Sequence, residues 1–322
     1  MLHPKAVPVE KWRELARAYE ELFRHSADPR SEYWLFRAEP DSDRENWLTT
    51  SFDRSLRDMY PRPEDRTKLV LNDIEGRLLR EFQRRAHHYL DVLPEPWDTL
   101  GWWALMRHYG APVRILDWSY SFWVTVYFAL QKPSATGRHI VWALNALDVR
   151  RGAYRLLTGA YGPLTSQLEE GDLFRQDGAP GRAGLFNRFF GVENPASGDR
   201  GTVRRLRRSR EVRFVYPVTP FGLNERLTIQ QATFLCPGSL RRPFSECLEA
   251  TLAKCSPAPA SPSLYRIEIQ AGGDNAARRD MLVELQRMNM DSGSLFADLE
   301  GFGRSLNTKL ALPWIIRGAP DA

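Results

Sequence analysis

Four polar groupings in this chain have the residue types of a ligand site, and each lies beside an apolar run. Arg37 stands inside "YWLFRA", residues 33–38. A guanidinium keeps its charge and buries badly alone, so it either meets an internal carboxylate or reaches a ligand phosphate. His108, in "RHYG", has a side chain that titrates near neutrality. It reads as a general base or ligand contact, or as a structural histidine at a helix end. Arg114 and Asp117 stand three residues apart in "VRILDW". They suit an ion pair that fixes a turn, or Asp117 is the carboxylate of a site. Gln230 and Gln231 fall in "RLTIQQATFL", where their amides need backbone partners or a ligand's ribose hydroxyls. Ser119 and Ser121 lie at the mouth of an apolar helix, where either can cap the first turn.

The elements that must position these groups follow from periodicity. Residues 9–24 carry apolar positions at helical spacing and read as an amphipathic helix. Residues 32–39 suit a buried strand. Residues 64–89 and 97–108 read as helices. Gly110 and Pro112 then break the chain, "VRILDW" reads as a strand, and residues 122–131 form a helix apolar on every side, which must be buried. Strands are expected at 138–145, 211–218, 226–235 and 264–270. Helices are expected at 275–289 and 294–311. Residues 150–210 read as irregular surface loops, and the Pro/Ser run 256–263 reads as a loop. The whole suggests one α+β domain.

Composition narrows the function classes. Hydrophobic residues make up 43% and charged residues 26% of the 322, an ordinary globular balance. No apolar run reaches the length of a membrane span, and the first residues do not read as a signal peptide, so a cytoplasmic protein with no membrane partner is expected. The three cysteines, Cys236, Cys247 and Cys255, fit a reducing compartment and match no zinc pattern, so no metal is expected. The formal charge is +5. The run 200–213 holds seven arginines. It reads as a solvated face or as a contact for phosphates. P-loop, GxSxG, HExxH and CxxC signatures are missing from the sequence.

Taken in order, "WLFRAE", "WLTTSFDR", "EGRLLREFQRRA" and "ALMRHYGAPVRILDWSYSFWVTVYFAL" resemble the motifs of the FRG domain family, whose longest stretch is similar to "QHYGxPTRLLDWTxSPxxALYFA". "ERLTIQQATF" and "DSGSLFADLEGFGRSL" resemble its later strand and closing helix. Ala38 and Ala232 stand where the pattern has Gly, Arg107 where it has Gln, and Phe122 where it has Pro. The resemblance implies an FRG domain over 31–312 with an insertion around 150–210, an N-terminal helix within 1–30 and a tail at 313–322.

The motif order is in turn similar to the ADP-ribosyltransferase plan. That plan sets an arginine or histidine on a first strand, a Ser/Thr-containing strand leading into a helix, and a Glu or Gln strand late in the chain. It implies a split sheet with surrounding helices and NAD as substrate. Arg37, Gln230, Asp117 and His108 would be catalytic, and Arg37, Tyr109, Arg114, Ser119 and Ser121 would hold the cofactor. The implied activity is transfer of ADP-ribose to a protein or nucleic-acid acceptor, the latter met by the run 200–213, in a bacterial toxin or phage-defence setting with an antitoxin or regulatory partner. The alternatives are an NAD glycohydrolase and a noncatalytic module that binds nucleotide or nucleic acid. Gln230 lacks the negative charge that a carboxylate would bring, which favours the last.

Overall fold

The computed structural model describes residues 2–24, 33–41, 47–162, 186–187, 189–192, 212–222, 225–255, 262–271, 276–296 and 298–310. Residues 200–211 of the basic run, 256–261 of the Pro/Ser run and the tail at 313–322 lie outside them. The strands β1 (Lys5–Val9), β2 (Trp34–Pro40), β3 (Leu116–Ser119), β4 (Arg138–Asn145), β5 (Val215–Val218), β6 (Ala232–Pro237) and β7 (Leu264–Gln270) make one mixed sheet. Its order is β1-β7-β4-β2-β3-β6-β5. The fold is thus α+β, as expected, with one continuous sheet where a split one was anticipated. Its midline is nevertheless thin. Strands β2 and β3 share one register pair, Phe36 opposite Ser119, whereas β2 and β4 share seven.

Alternation along β2 sends Trp34 and Phe36 to one face and Leu35 to the other. On the first face, α1 (Trp12–Tyr19), α6 (Phe122–Leu130) and α10 (Ala276–Arg287) cover the β1-β7-β4-β2 half. Helices α4 (Leu71–Ala86) and α5 (Thr99–His108) cover the β6-β5 half. The second face is closed by α9 (Phe244–Leu252) and the start of α7 (Ala146–Tyr161). Gly152 lets those two helices touch, since a Cβ there would lie 2.0 Å from the Thr251 carbonyl oxygen.

Several expectations are corrected. The helix over 9–24 begins at Trp12, because residues 5–9 form β1 at the sheet edge, parallel to β7, where Pro8 needs no donor. It ends in a π-helical turn, Glu20–Arg24. The segment 64–89 divides into α3 (Pro63–Thr67) and α4, with α2 (Ser51–Met59) before them. Residues 146–161 are helical, capped by the Asn145 side chain, and not a surface loop. Residues 226–235 are not one strand. They hold α8 (Glu225–Ile229), a turn at Gln230-Gln231, and β6. The closing helix divides into α11 (Ser292–Leu295) and α12 (Leu299–Lys309), because Asp298 caps a new start by accepting from the Gly301 N–H at 2.6 Å.

Just before β3 the Arg114 side chain is fully buried and paired with Glu75 of α4, through Nε at 2.7 Å and through Nη2. Its Nη1 donates to the Phe190 carbonyl at 2.8 Å, and Trp103 stacks on the guanidinium at 5.1 Å. Burial works against this charge, and the Glu75 carboxylate more than offsets it, holding the guanidinium above its ordinary pKa. Removing one partner of such a pair leaves an uncompensated buried charge. Glu75→Ala is therefore predicted to lower the unfolding free energy by about 3–5 kcal/mol, while the double variant Glu75→Leu/Arg114→Met loses less. Urea titrations check this, and a loss under about 1 kcal/mol for Glu75→Ala would mean that the pair is not desolvated.

Candidate functional site

Where the sheet thins, a pocket of about 420 Å³ opens, lined by residues of α5, α6 and α8. Arg37, His108, Asp117, Ser119 and Gln230 all line it, so five of the residues singled out in the sequence meet in one place. Arg107, Arg226 and Phe296 line it with them.

The joint itself is polar. Arg37 Nε donates to Glu39 Oε1 at 3.0 Å, and its Nη1 crosses to the Asp117 carbonyl oxygen at 2.7 Å. Glu39 is fixed in turn, its Oε2 accepting from the Leu48 N–H and from Trp142 Nε1, each at 3.0 Å. Of the two fates open to Arg37 in the sequence, the internal carboxylate is observed. That carboxylate, two residues on along the same strand face, was missed.

Helix α5 delivers the next pair. Gly110, at φ +79°, ends it, and the Ala111 N–H closes back on the Met106 carbonyl at 2.9 Å. This aims Arg107 at the Asp117 carboxylate, with Nε and Nη2 at 2.8 and 2.6 Å from Oδ2. The ion pair expected between Arg114 and Asp117 is thus two separate pairs. Burial opposes the Arg107 charge, but Asp117 outweighs it and keeps the guanidinium above its ordinary pKa.

The turn at Gln230-Gln231 is tied down by groups that could otherwise have faced a ligand. Ser119 Oγ donates to the Gln230 carbonyl at 2.7 Å and accepts from the Ser121 N–H at 2.9 Å. Gln230 Nε2 donates to the Leu295 carbonyl at 3.0 Å. The positive φ of this turn falls on Gln231, at 47°, whereas Ala38 and Ala232 have none, so alanine in place of the family's glycines is unstrained there.

Three of the expected cofactor residues lie elsewhere. Arg114 is in the core beside Glu75, because it precedes β3 and points away from the pocket. Tyr109 is exposed and lines an apolar groove between α4 and α5. Ser121 caps α6 by accepting from the Val124 N–H at 3.4 Å. Among the described residues no group of three or more His, Cys, Asp or Glu could hold a metal, and no helix is long and apolar enough to cross a membrane.

The family model of the FRG domain matches residues 32–138. The chain carries an FRG domain. The matched stretch supplies Arg37, Arg107, His108, Asp117 and Ser119, and the pocket's other wall, Arg226, Gln230 and Phe296, comes from beyond it. No curated protein and no solved structure gives a match to the chain.

His108 carries the pH-dependence of this wall. Burial pushes its pKa below the ordinary histidine value, the neighbouring Arg226 charge adds to this, and Asp298 opposes it. The folded protein then binds fewer protons here than the unfolded chain, so stability falls as pH drops through about 6.5. Arg226→Ala should raise the His108 pKa and weaken that fall. Titration of the imidazole by NMR checks this, and an unchanged midpoint would separate the two side chains.

Proposed function

We propose that the pocket takes NAD and that the chain is an NAD-dependent ADP-ribosyltransferase-like protein, with a protein or nucleic-acid acceptor, in a bacterial toxin or phage-defence setting. What carries this reading is the placement of Arg37, Ser119 and Gln230 on or beside three neighbouring strands, β2, β3 and β6, around a pocket at their joint. Their sequence order is the one which the resemblance to the ADP-ribosyltransferase plan implies. The volume lies in the range of about 300–1,000 Å³ typical of cofactor sites.

Cleavage of the nicotinamide–ribose bond leaves the electron pair on nicotinamide and develops positive charge at the anomeric carbon. A preorganised carboxylate stabilises that charge. Asp117 is the acid lining the pocket, with its side chain 38% exposed and its orientation held by Arg107. We assign the charge-stabilising part to it, since Gln230 brings no charge. His108 can take the proton that an acceptor loses, and the desolvation and Arg226 charge that lower its pKa favour its neutral form. Without an acceptor, water in its place gives NAD glycohydrolase activity.

One observation favours a noncatalytic nucleotide-binding module instead. Ser119 Oγ and Gln230 Nε2 are both engaged within the fold, which leaves the ribose fewer partners. The two readings part in one experiment, titration of the purified protein with NAD that follows both heat and nicotinamide release. Release that Asp117→Asn cuts by on the order of 100-fold, with the melting temperature kept, supports the enzyme. Binding without release, with or without protein or nucleic-acid acceptors, supports the module. Absence of NAD binding would remove the NAD-dependent enzyme and leave the module only for other nucleotides or nucleic acid.

A further inference from the structure

The cations of this pocket are not equivalent. Three arginines and one aspartate line it. Arg37, with its side chain only 11% exposed, is spent on Glu39 and on the Asp117 carbonyl. Arg107 is paired with Asp117 but keeps its side chain 28% exposed. Arg226, on α8, differs from both. Its guanidinium carbon lies over the Phe296 ring, 4.4 Å from the centroid, and no carboxylate comes within ion-pair distance of it among the described residues. It is half-buried, and burial pushes its pKa below the ordinary value, with Arg304 and Arg107 adding to this against Asp117 and Asp298. Arg54, an exposed cation nearby, is spent on the Thr49 carbonyl at 2.5 Å. A partly desolvated cation without a carboxylate in direct contact is a costly arrangement that a bound anion relieves.

We infer that Arg226 and Arg107, rather than Arg37, form the anion subsite of the pocket, and that it takes a pyrophosphate. The two guanidiniums come from different elements, the end of α5 and the start of α8, and line the same pocket, so they suit a group with charge on two linked centres. A single carboxylate would occupy one of them. The Arg226 fork matches phosphate oxygens, Arg107 keeps its Nη1 edge beside the fork that holds Asp117, and the Phe296 ring supports the Arg226 guanidinium. Arg226 is then a binding residue that the search for catalytic motifs passes over. The inference rests on the pocket being a ligand site, and it specifies the ligand chemistry that the NAD reading needs.

Inorganic pyrophosphate is the probe, measured by calorimetry at low salt on the full chain, beside orthophosphate, ADP and NAD. Pyrophosphate is expected to bind more tightly than orthophosphate, and its affinity to fall with added salt. Arg226→Ala should weaken it by about 10-fold or more, and Arg226→Lys by less, since lysine keeps the charge and loses the fork. A melting temperature within error of wild type in both variants separates lost binding from lost fold. The inference fails where wild-type protein does not bind pyrophosphate, or where a folded Arg226→Ala binds it as wild type does. Pyrophosphate and ADP binding that depends on Arg226, with no NAD binding, leaves this subsite standing and overturns the NAD reading. NAD binding indifferent to Arg226→Ala keeps that reading and overturns the subsite.

Discussion

The guanidinium of Arg37 stands in for the hydrogen bonds that β2 and β3 do not make. The two strands meet at Phe36 and Ser119 and have no second register pair. Past that point the Asp117 carbonyl needs a donor, because a buried peptide oxygen left alone is costly. Arg37 Nη1 supplies it across the gap. The charge that comes with this donor must itself be balanced, and Glu39 balances it, held by the Leu48 N–H and the Trp142 indole. The open midline that makes the pocket thus has the same origin as the polar chain that holds the sheet together there. Arg37 is a structural member of the site, and loss of activity on replacing it would not by itself identify a ligand contact.

The arginines around this midline form a series, from Arg114 in the core to Arg226 at the pocket. Arg114 has carboxylate, carbonyl and indole neighbours and no contact with solvent. Arg37 has a carboxylate and a carbonyl. Arg107 has a carboxylate that is itself half exposed. Arg226 has an aromatic face and, among the described residues, no carboxylate at ion-pair distance. Satisfaction decreases as the pocket is approached, and this ordering separates scaffold from candidate binding group better than residue type does.

Much of the frame was legible in the sequence because its signals are local. The buried helix following Ser121, the strands at 138–145 and 264–270 and the break at Gly110 each follow from periodicity or backbone restriction within a few residues. The pairings were not legible, because they join distant positions. Arg114 and Asp117 suggest each other by spacing, yet the first finds Glu75 in α4 and the second finds Arg107 at the end of α5. Residues 226–235 read as a strand because a short run with apolar residues on both sides of a polar pair fits either period. The positive φ at Gln231 that ends one element and starts the next has no glycine to announce it.

That misread segment also explains the division of labour in the pocket. Helix α8 is five residues long, too short to hold a charged side chain in place on its own. Its C-terminal turn is anchored by Ser119 Oγ on the Gln230 carbonyl, by the Tyr120 N–H on the Gln231 carbonyl at 3.0 Å, and by Gln230 Nε2 on the Leu295 carbonyl. Leu295 precedes Phe296, the ring on which Arg226 lies. The serine and the glutamine that the motif order suggests for chemistry are therefore the struts of the element that carries Arg226. Their hydrogen bonds place a guanidinium that has no ion-pair partner among the described residues, with a ring beside it, in the pocket that the Arg107–Asp117 pair also lines. A site built this way ties ligand affinity to the geometry of the sheet's midline, since any change that opens the β2–β3 joint also displaces Ser119 and, through it, α8.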